Sequence, residues 1–259
     1  MALESLERRE LLAVDFFDIR GAGNVDLEQF SQFAELGGNL LFSGNAGSFG
    51  AGLWKSDGTN TTLLADINPG ADSSSPFGFT EFQGKVYFAA NDGASGAELW
   101  ATDGTNTTLL ADINTGSGSS SPQNLTVVGS TLFFTADDGS TGTELWKTDG
   151  TAQNTVRVAD INNGGSSTPL ELTAVGNTLF FTADDGVFGR EVWSSDGNTA
   201  NRVTDINNGG NSLSTSSTFA SLTNVNGTLF FSATTGSGVN ADYELWKTDG
   251  INTSLVSNI

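Results

Sequence analysis

Carboxylates are the chemically active side chains of this sequence. It holds 30 Asp and Glu against 10 Lys and Arg, and it has neither His nor Cys. Imidazole and thiolate zinc sites, thiol nucleophiles, disulfides and Ser-His-Asp triads are therefore excluded by composition. What remains is oxygen chemistry, either acid–base work by paired carboxylates or binding of a hard cation. Two adjacent pairs, Asp137-Asp138 and Asp184-Asp185, supply the residue types of a general acid and base. The corresponding places elsewhere in the chain read Asn91-Asp92 and Thr234-Thr235. These positions vary as turn residues do, so catalysis is not expected of them and no catalytic residue is assigned.

The same carboxylates are candidate Ca²⁺ ligands. Asp137, Asp138, Asp184 and Asp185 join Asp160, Asn162, Asp205 and Asn207 of two DINNG segments, which place oxygen donors two residues apart ahead of a Gly. Ile161 and Ile206 fill the intervening positions, and no stretch carries the twelve-residue EF-hand pattern. Three cations, Arg157, Arg190 and Arg202, are concentrated in one part of an otherwise acidic chain. They are the candidates for binding an anionic ligand such as a carboxylated or sulfated sugar, with solubilising charge as the plain alternative. The formal net charge of −20 repels phosphate backbones and anionic headgroups, so nucleic acid and membrane surfaces are not expected partners. No apolar run approaches the ~20 residues of a transmembrane helix.

The elements that position these residues are repeats. All five Trp sit in one motif: GLWKSDGT, ELWATDGT, ELWKTDGT, EVWSSDGN and ELWKTDGI. Trp54, Trp100, Trp146 and Trp193 are spaced 46, 46 and 47 apart, and Trp246 follows after 53. DIN segments at Asp66, Asp112, Asp160 and Asp205 recur in phase, as do aromatic runs ending at Phe42, Phe88, Phe134, Phe181 and Phe231. In the third unit the sequence predicts four strands: 124–128, 131–135, 143–147 and 155–161, each closed by Gly-containing turn chemistry. Strands two and three are apolar on both faces, so both faces need cover. Four-stranded blades packed around an axis provide it, and a 46-residue period fits a propeller blade.

The expected fold is all-β, a β-propeller of five four-stranded blades, with an open β-repeat array or solenoid as the alternative. Residues 14–259 form the repeat domain, with blades at approximately 20–67, 68–113, 114–161, 162–206 and 207–259. An extra outer strand is expected at 14–19, ahead of the first complete unit. The five Trp are expected in the core between blades rather than as sugar-stacking platforms. Asp57, Asp103, Asp149, Asp196 and Asp249 precede Gly and are expected to cap their own turns. Glu98, Glu144, Glu191 and Glu244 are expected to pair with a neighbouring blade or to face solvent.

These motifs resemble the ELWxxDGT repeat family of large, mostly secreted or surface-associated bacterial proteins. Glu98–Thr105 and Glu144–Thr151 match every defined position, whereas Gly52, Val192, Asn198 and Ile251 depart from it. Residues 1–13 contain Leu6-Glu7-Arg8-Arg9-Glu10-Leu11-Leu12, which resembles a Leu-Glu-Pro-Arg-x-Leu-Leu sorting motif with Arg8 in the Pro position. Both resemblances imply export. The expected function is a non-catalytic extracellular or cell-surface module for binding, adhesion or scaffolding, with a protein or carbohydrate ligand. The alternative is a propeller-type carbohydrate-active enzyme, which would need a site unique to one blade.

Overall fold

Alternating Val, Phe, Tyr, Leu and Thr runs broken by Gly turns build β-hairpins, and a computed structural model of the chain consists of little else. It describes residues 26–27, 32–45, 50–208, 210–213, 221–236 and 242–257. The expected sorting segment and the strand at 14–19 lie outside these residues. Five consecutive antiparallel sheets follow one another along the sequence, as the blades of a β-propeller.

Blade one comprises β1 (Asp26–Leu27), β2 (Phe33–Leu36), β3 (Asn39–Asn45), β4 (Ala51–Ser56) and β5 (Thr61–Ala65). Here β1 and β2 pair with successive parts of β3, at Asn45–Gly44 and Phe42–Asn39 respectively. Blade two is β6 (Phe77–Phe82), β7 (Lys85–Asn91), β8 (Ala97–Thr102) and β9 (Thr107–Ala111). Blade three is β10 (Gln123–Val128), β11 (Thr131–Asp137), β12 (Thr143–Thr148) and β13 (Val156–Arg157). Blade four is β14 (Leu170–Val175), β15 (Thr178–Asp184), β16 (Arg190–Ser195) and β17 (Ala200–Arg202). Blade five is β18 (Thr223–Val225), β19 (Thr228–Ala233), β20 (Glu244–Thr248) and β21 (Thr253–Ser257).

In blades two to five each strand pairs with the next in sequence, antiparallel throughout, which is a meander and not the coil of a solenoid. The register keeps the repeat markers opposite one another: Phe42 faces Trp54, Phe134 faces Trp146, Phe181 faces Trp193 and Phe231 faces Trp246. In blade three the first three strands match the sequence expectation within two residues. The fourth begins within one residue of its expected start, behind a 3-10 helix at Ala152–Asn154, and ends earlier than expected, at Arg157. Past Arg157 the backbone makes a single further bond, from Val158 N–H to the Leu145 carbonyl.

The chain divides into two compact units, Met1–Ala94 with Trp100–Thr108, and Ser95–Leu99 with Leu109–Ile259. In the first, Leu41 and Leu53 of blade one pack with Phe79, Val86 and Phe88 of blade two, with Trp100 at the edge of that cluster. In the second, Phe133 and Leu145 of blade three pack with Leu179 and Phe181 of blade four, and Trp193 borders them. Phe180 and Val192 of blade four meet Leu229 and Phe231 of blade five beside Trp246. Blades two, four and five thus offer their Phe/Trp face to the preceding blade. Trp100, Trp193 and Trp246 belong to the inter-blade core, where burying ring area supplies much of the stability, whereas Trp54 packs on Phe42 and Leu63 of its own blade.

Candidate functional site

Three polar devices recur along the repeat, the first two built on carboxylates and the third on Asn. The first is the Asp of each third-strand turn. Asp57 Oδ1 accepts hydrogen bonds from the N–H groups of Thr59 at 2.8 Å and Asn60 at 2.6 Å. Asp103 and Asp249 do the same in their own turns. The Asn106 N–H, with its side chain and the Thr105 N–H, holds Asp103 down to about 2, and Asn252 and Ile251 hold Asp249 at about 2. This is the turn-capping role expected from the sequence.

The second device decides between the two places expected of the motif Glu, since Glu98, Glu144 and Glu191 bond to residues at the start of the next repeat. Glu98, Glu144 and Glu191 neither face solvent nor pair with a cation; all three are fully buried. Glu144 accepts from the Ile161 N–H at 3.1 Å, the Ser167 N–H at 2.8 Å and the Ser167 hydroxyl at 2.6 Å. Glu98 binds Ile113 and Ser120 in the same way, and Glu191 takes the hydroxyls of Thr204 and Ser212. Each carboxylate therefore clamps the connection leading to the next blade. Burial pushes all three carboxyls above their ordinary range, with the Ser hydroxyl the leading opposing influence. Blade one has Gly52 at this position, and there Ser74 turns its hydroxyl to the Ala51 carbonyl at 2.8 Å.

The third device uses the Asn of the DIN segments. Asn162 Nδ2 donates to the Ser166 carbonyl, while its side-chain oxygen lies where a Cβ on Gly186 would be, 2.8 Å from that point. Gly186 belongs to the DDG turn of the next blade and has φ +75°, so only glycine suits the place sterically and conformationally. Asn68 and Asn114 sit over Gly93 and Gly139 in the same way, and Asn207 donates to the Gly236 carbonyl. Asn162 and Asn207 are thus engaged as ties between successive blades.

The candidate carboxylates form turns or face arginine. Asp137 and Asp184 accept from the N–H groups of Gly139 and Gly186 at 2.7 and 2.8 Å. Asp138 takes the N–H and hydroxyl groups of Ser140 and Thr141. Burial works against its charge, but these bonds prevail and hold it at about 2. Asp185 accepts from Val187 and Phe188. Arg157 lies 3.4 Å from Asp138 and 4.0 Å from Asp160; Arg202 lies 3.8 Å from Asp185 and 3.6 Å from Asp205. A guanidinium is therefore the local counter-charge for these four carboxylates. Asp160 and Asn162 serve different partners, as do Asp205 and Asn207. Among the described residues no group of three or more acidic side chains is placed to hold a metal ion.

Blade four departs from the pattern. The position opposite Asp184 is Arg190, where the other blades have Ala51, Ala97, Thr143 and Tyr243. Arg190 is 6% exposed and donates to the Thr182 hydroxyl at 2.9 Å and the Thr168 carbonyl at 3.0 Å. Among the described residues no carboxylate reaches it within 4.0 Å. Burial pulls its pKa down, and the charges of Asp184 and Glu171 act on it from farther away. In the same hairpin the Arg202 guanidinium stacks 3.5 Å over the Phe188 ring, and Val187 beside it is 70% exposed. Phe188 and Val187 gave no signal in the sequence beyond breaking the repeat, since blades two and three have Ala94-Ser95 and Ser140-Thr141 there.

No protein-family model matches the chain, and no curated protein does. Its fold is similar to a puromycin hydrolase, with 12% identity over 92% of this chain and 39% of that one, at a TM-score of 0.52. Weaker likenesses are to an acylaminoacyl peptidase from Pyrococcus horikoshii (14% identity, 68% of this chain, 27% of that, TM-score 0.46) and to the β-propeller domain of the Trilobed protease from Pyrococcus furiosus (11%, 69%, 55%, 0.45). The chain spans 27 to 55% of the length of these three proteins. At such identity the likeness establishes the propeller fold and no activity.

Proposed function

We propose that the chain is a non-catalytic binding module of an exported or cell-surface protein, and that blade four carries its ligand-contacting surface. The observation that supports this is Arg190, a buried cation in a single blade, held by neutral oxygens only. Repetition serves packing, whereas recognition needs one distinct place. The ligand class that suits it is a carboxylated polysaccharide. In this reading a sugar face packs on the exposed Val187 and its carboxylate is drawn toward Arg190, since Arg202 is already held by Asp185, Asp205 and the Phe188 ring. The test is titration with polygalacturonate and with a neutral galactan. Binding of the acidic polymer alone, lost in Arg190→Gln with the melting temperature retained, is the expected result. Equal binding of both polymers, or no change in Arg190→Gln, refutes it.

A second reading is a propeller that serves a hydrolase, and it draws support from the fold likeness to a puromycin hydrolase. That company is peptidase-like and not the carbohydrate-active kind expected from the sequence. Aryl glycosides and peptide substrates distinguish the readings. Turnover abolished by an Asn substitution at Asp137, Asp138, Asp184 or Asp185 would put the enzyme first.

A further inference from the structure

The sequence holds eight Asp-Gly and three Asn-Gly steps. These dipeptides are open to succinimide formation, because glycine puts no side chain in the way of its own nitrogen. In that reaction the Gly nitrogen attacks the side-chain carbonyl carbon of the residue before it. A Gly N–H tied to another acceptor, or a side chain engaged by another donor, keeps the two atoms from reacting.

All eight Asp-Gly steps are held twice. In the five turns that close the Trp motif, the Gly N–H donates to the Ser or Thr hydroxyl two residues back, as Gly58 does to Ser56 at 3.2 Å and Gly150 to Thr148 at 3.0 Å. In the Asn-Asp-Gly and Asp-Asp-Gly turns it donates to the Asn or Asp two residues back, as Gly139 does to Asp137 at 2.7 Å. Each Asp of these eight steps also accepts from the N–H two residues further on, which engages its carboxylate elsewhere. Of the Asn-Gly steps, the Gly227 N–H donates to Asn224 Oδ1 at 3.0 Å, and Gly209 lies outside the described residues.

Asn163-Gly164 is the exception. Among the described residues neither the Asn163 side chain nor the Gly164 N–H has a hydrogen-bond partner, and both residues are exposed. Nothing lies within 4 Å of the place a Cβ would take on Gly164, so the step is uncrowded as well as untied. We propose that Asn163 is a modification site, converted without an enzyme to aspartate and isoaspartate. The Gly164 amide gives its proton to hydroxide, and its nitrogen bonds to Asn163 Cγ. The bond from Cγ to the side-chain nitrogen breaks, and ammonia leaves with a proton from water. Water then opens the succinimide at either carbonyl, so one water is consumed, one ammonia is released and nothing is oxidised. The site lies between Ile161 and Ser167, whose N–H groups Glu144 holds. Isoaspartate adds a methylene to the main chain there and either product adds a negative charge, so the change falls on the connection that Glu144 clamps. The proposal is independent of the blade-four ligand.

Peptide mapping by mass spectrometry tests it, following each step over time at mildly alkaline pH in the folded protein and in guanidinium chloride. Asn163 is expected to convert in the folded protein at close to its unfolded rate. Asn226 must first give up the Gly227 bond and its left-handed backbone conformation, and each Asp-Gly step two bonds. Folding should therefore slow these nine steps at least about tenfold. Asn224→Ala frees the Gly227 N–H and should speed Asn226 alone, whereas Asn224→Asp keeps an acceptor there and should not. Circular dichroism of both variants separates that release from loss of folding. Folding that slows Asn163 as much as Asn226 overturns the proposal, as does any Asp-Gly step that converts ahead of Asn163 in the folded protein. An Asn226 rate unmoved by Asn224→Ala in a folded variant refutes the protection on which the proposal rests.

Discussion

Removing the Glu144 carboxylate tests the account of how successive blades are tied. Glu144→Ala strips the acceptor from two backbone N–H groups, Ile161 and Ser167, and from the Ser167 hydroxyl. A buried donor left without a partner costs about 1–3 kcal/mol, so the two N–H groups set a gross loss of about 2–6 kcal/mol. Relief of a buried carboxylate that has no cation beside it offsets part of this, leaving a net loss of about 2–4 kcal/mol. For a chain of this size each kcal/mol lowers the melting temperature by about 2–4 °C, so a fall of roughly 4–16 °C is expected. Trp fluorescence is a suitable probe, since Trp146 lies two residues away in the same strand. Ser167→Ala alone should cost about 1 kcal/mol, and the double variant should fall short of the sum because both act on one network. A Glu144→Ala variant that melts with the parent protein, or strict additivity with Ser167→Ala, refutes the clamp.

Gly186→Ala places a Cβ against Asn162 in a left-handed backbone conformation, and about 1–3 kcal/mol of destabilisation should appear in chemical denaturation. The pH dependence should show two opposed limbs. Glu98, Glu144 and Glu191 titrate above their ordinary 4.5 when folded, so the folded state holds extra protons there and stability falls as pH rises through the window above 4.5. Asp103, Asp138 and Asp249 are held at about 2 against an ordinary 3.8, so the stability they add is present above 3.8 and lost as pH falls toward 2. A melting profile across pH 2 to 7 checks both limbs, and Glu144→Gln should flatten the upper one. Millimolar Ca²⁺ bound at an extracellular-type site of Kd about 10⁻⁴–10⁻³ M would add roughly 0.4–1.4 kcal/mol. Calcium exceeding Mg²⁺ and ionic-strength-matched NaCl in raising the melting temperature supports such a site, and equal curves dispose of it.

Strands and tight turns were legible in the sequence because they depend on neighbours a few residues apart. Alternating aromatic runs and Asp-Gly turns gave the blade count and the turn-capping Asp. The clamps were not legible, because each joins residues from distant parts of the chain. Glu98, Glu144 and Glu191 lie 22, 23 and 21 residues before Ser120, Ser167 and Ser212. That near-constant separation was a usable signal, but a Glu ahead of Leu-Trp does not by itself name its partner, and the reading left open a neighbouring blade or solvent. The contact of Asn162 with Gly186 was hidden for a similar reason, since it appears only once two blades are side by side. Arg190 was found because it breaks the repeat, although nothing local indicated that it would be buried without a carboxylate.

The Glu clamp also determines how the molecule would carry tension. A pull along the chain would reach Glu144 and Ser167 before it reached the connecting loop at 158–166, so the carboxylate shunts force past that loop. Rupture of that one tie frees at most the connecting loop at 158–166, a length of about 30 Å at 3.3–3.6 Å per extended residue. A whole 46-residue repeat yields about 150–165 Å by the same measure. Single-molecule extension should therefore show a short step of the loop's length ahead of each full step wherever the Glu clamp is formed. Blade one, where Gly52 replaces it, has only the Ser74 bonds to the Ala51 carbonyl in that place and should give this step at lower force.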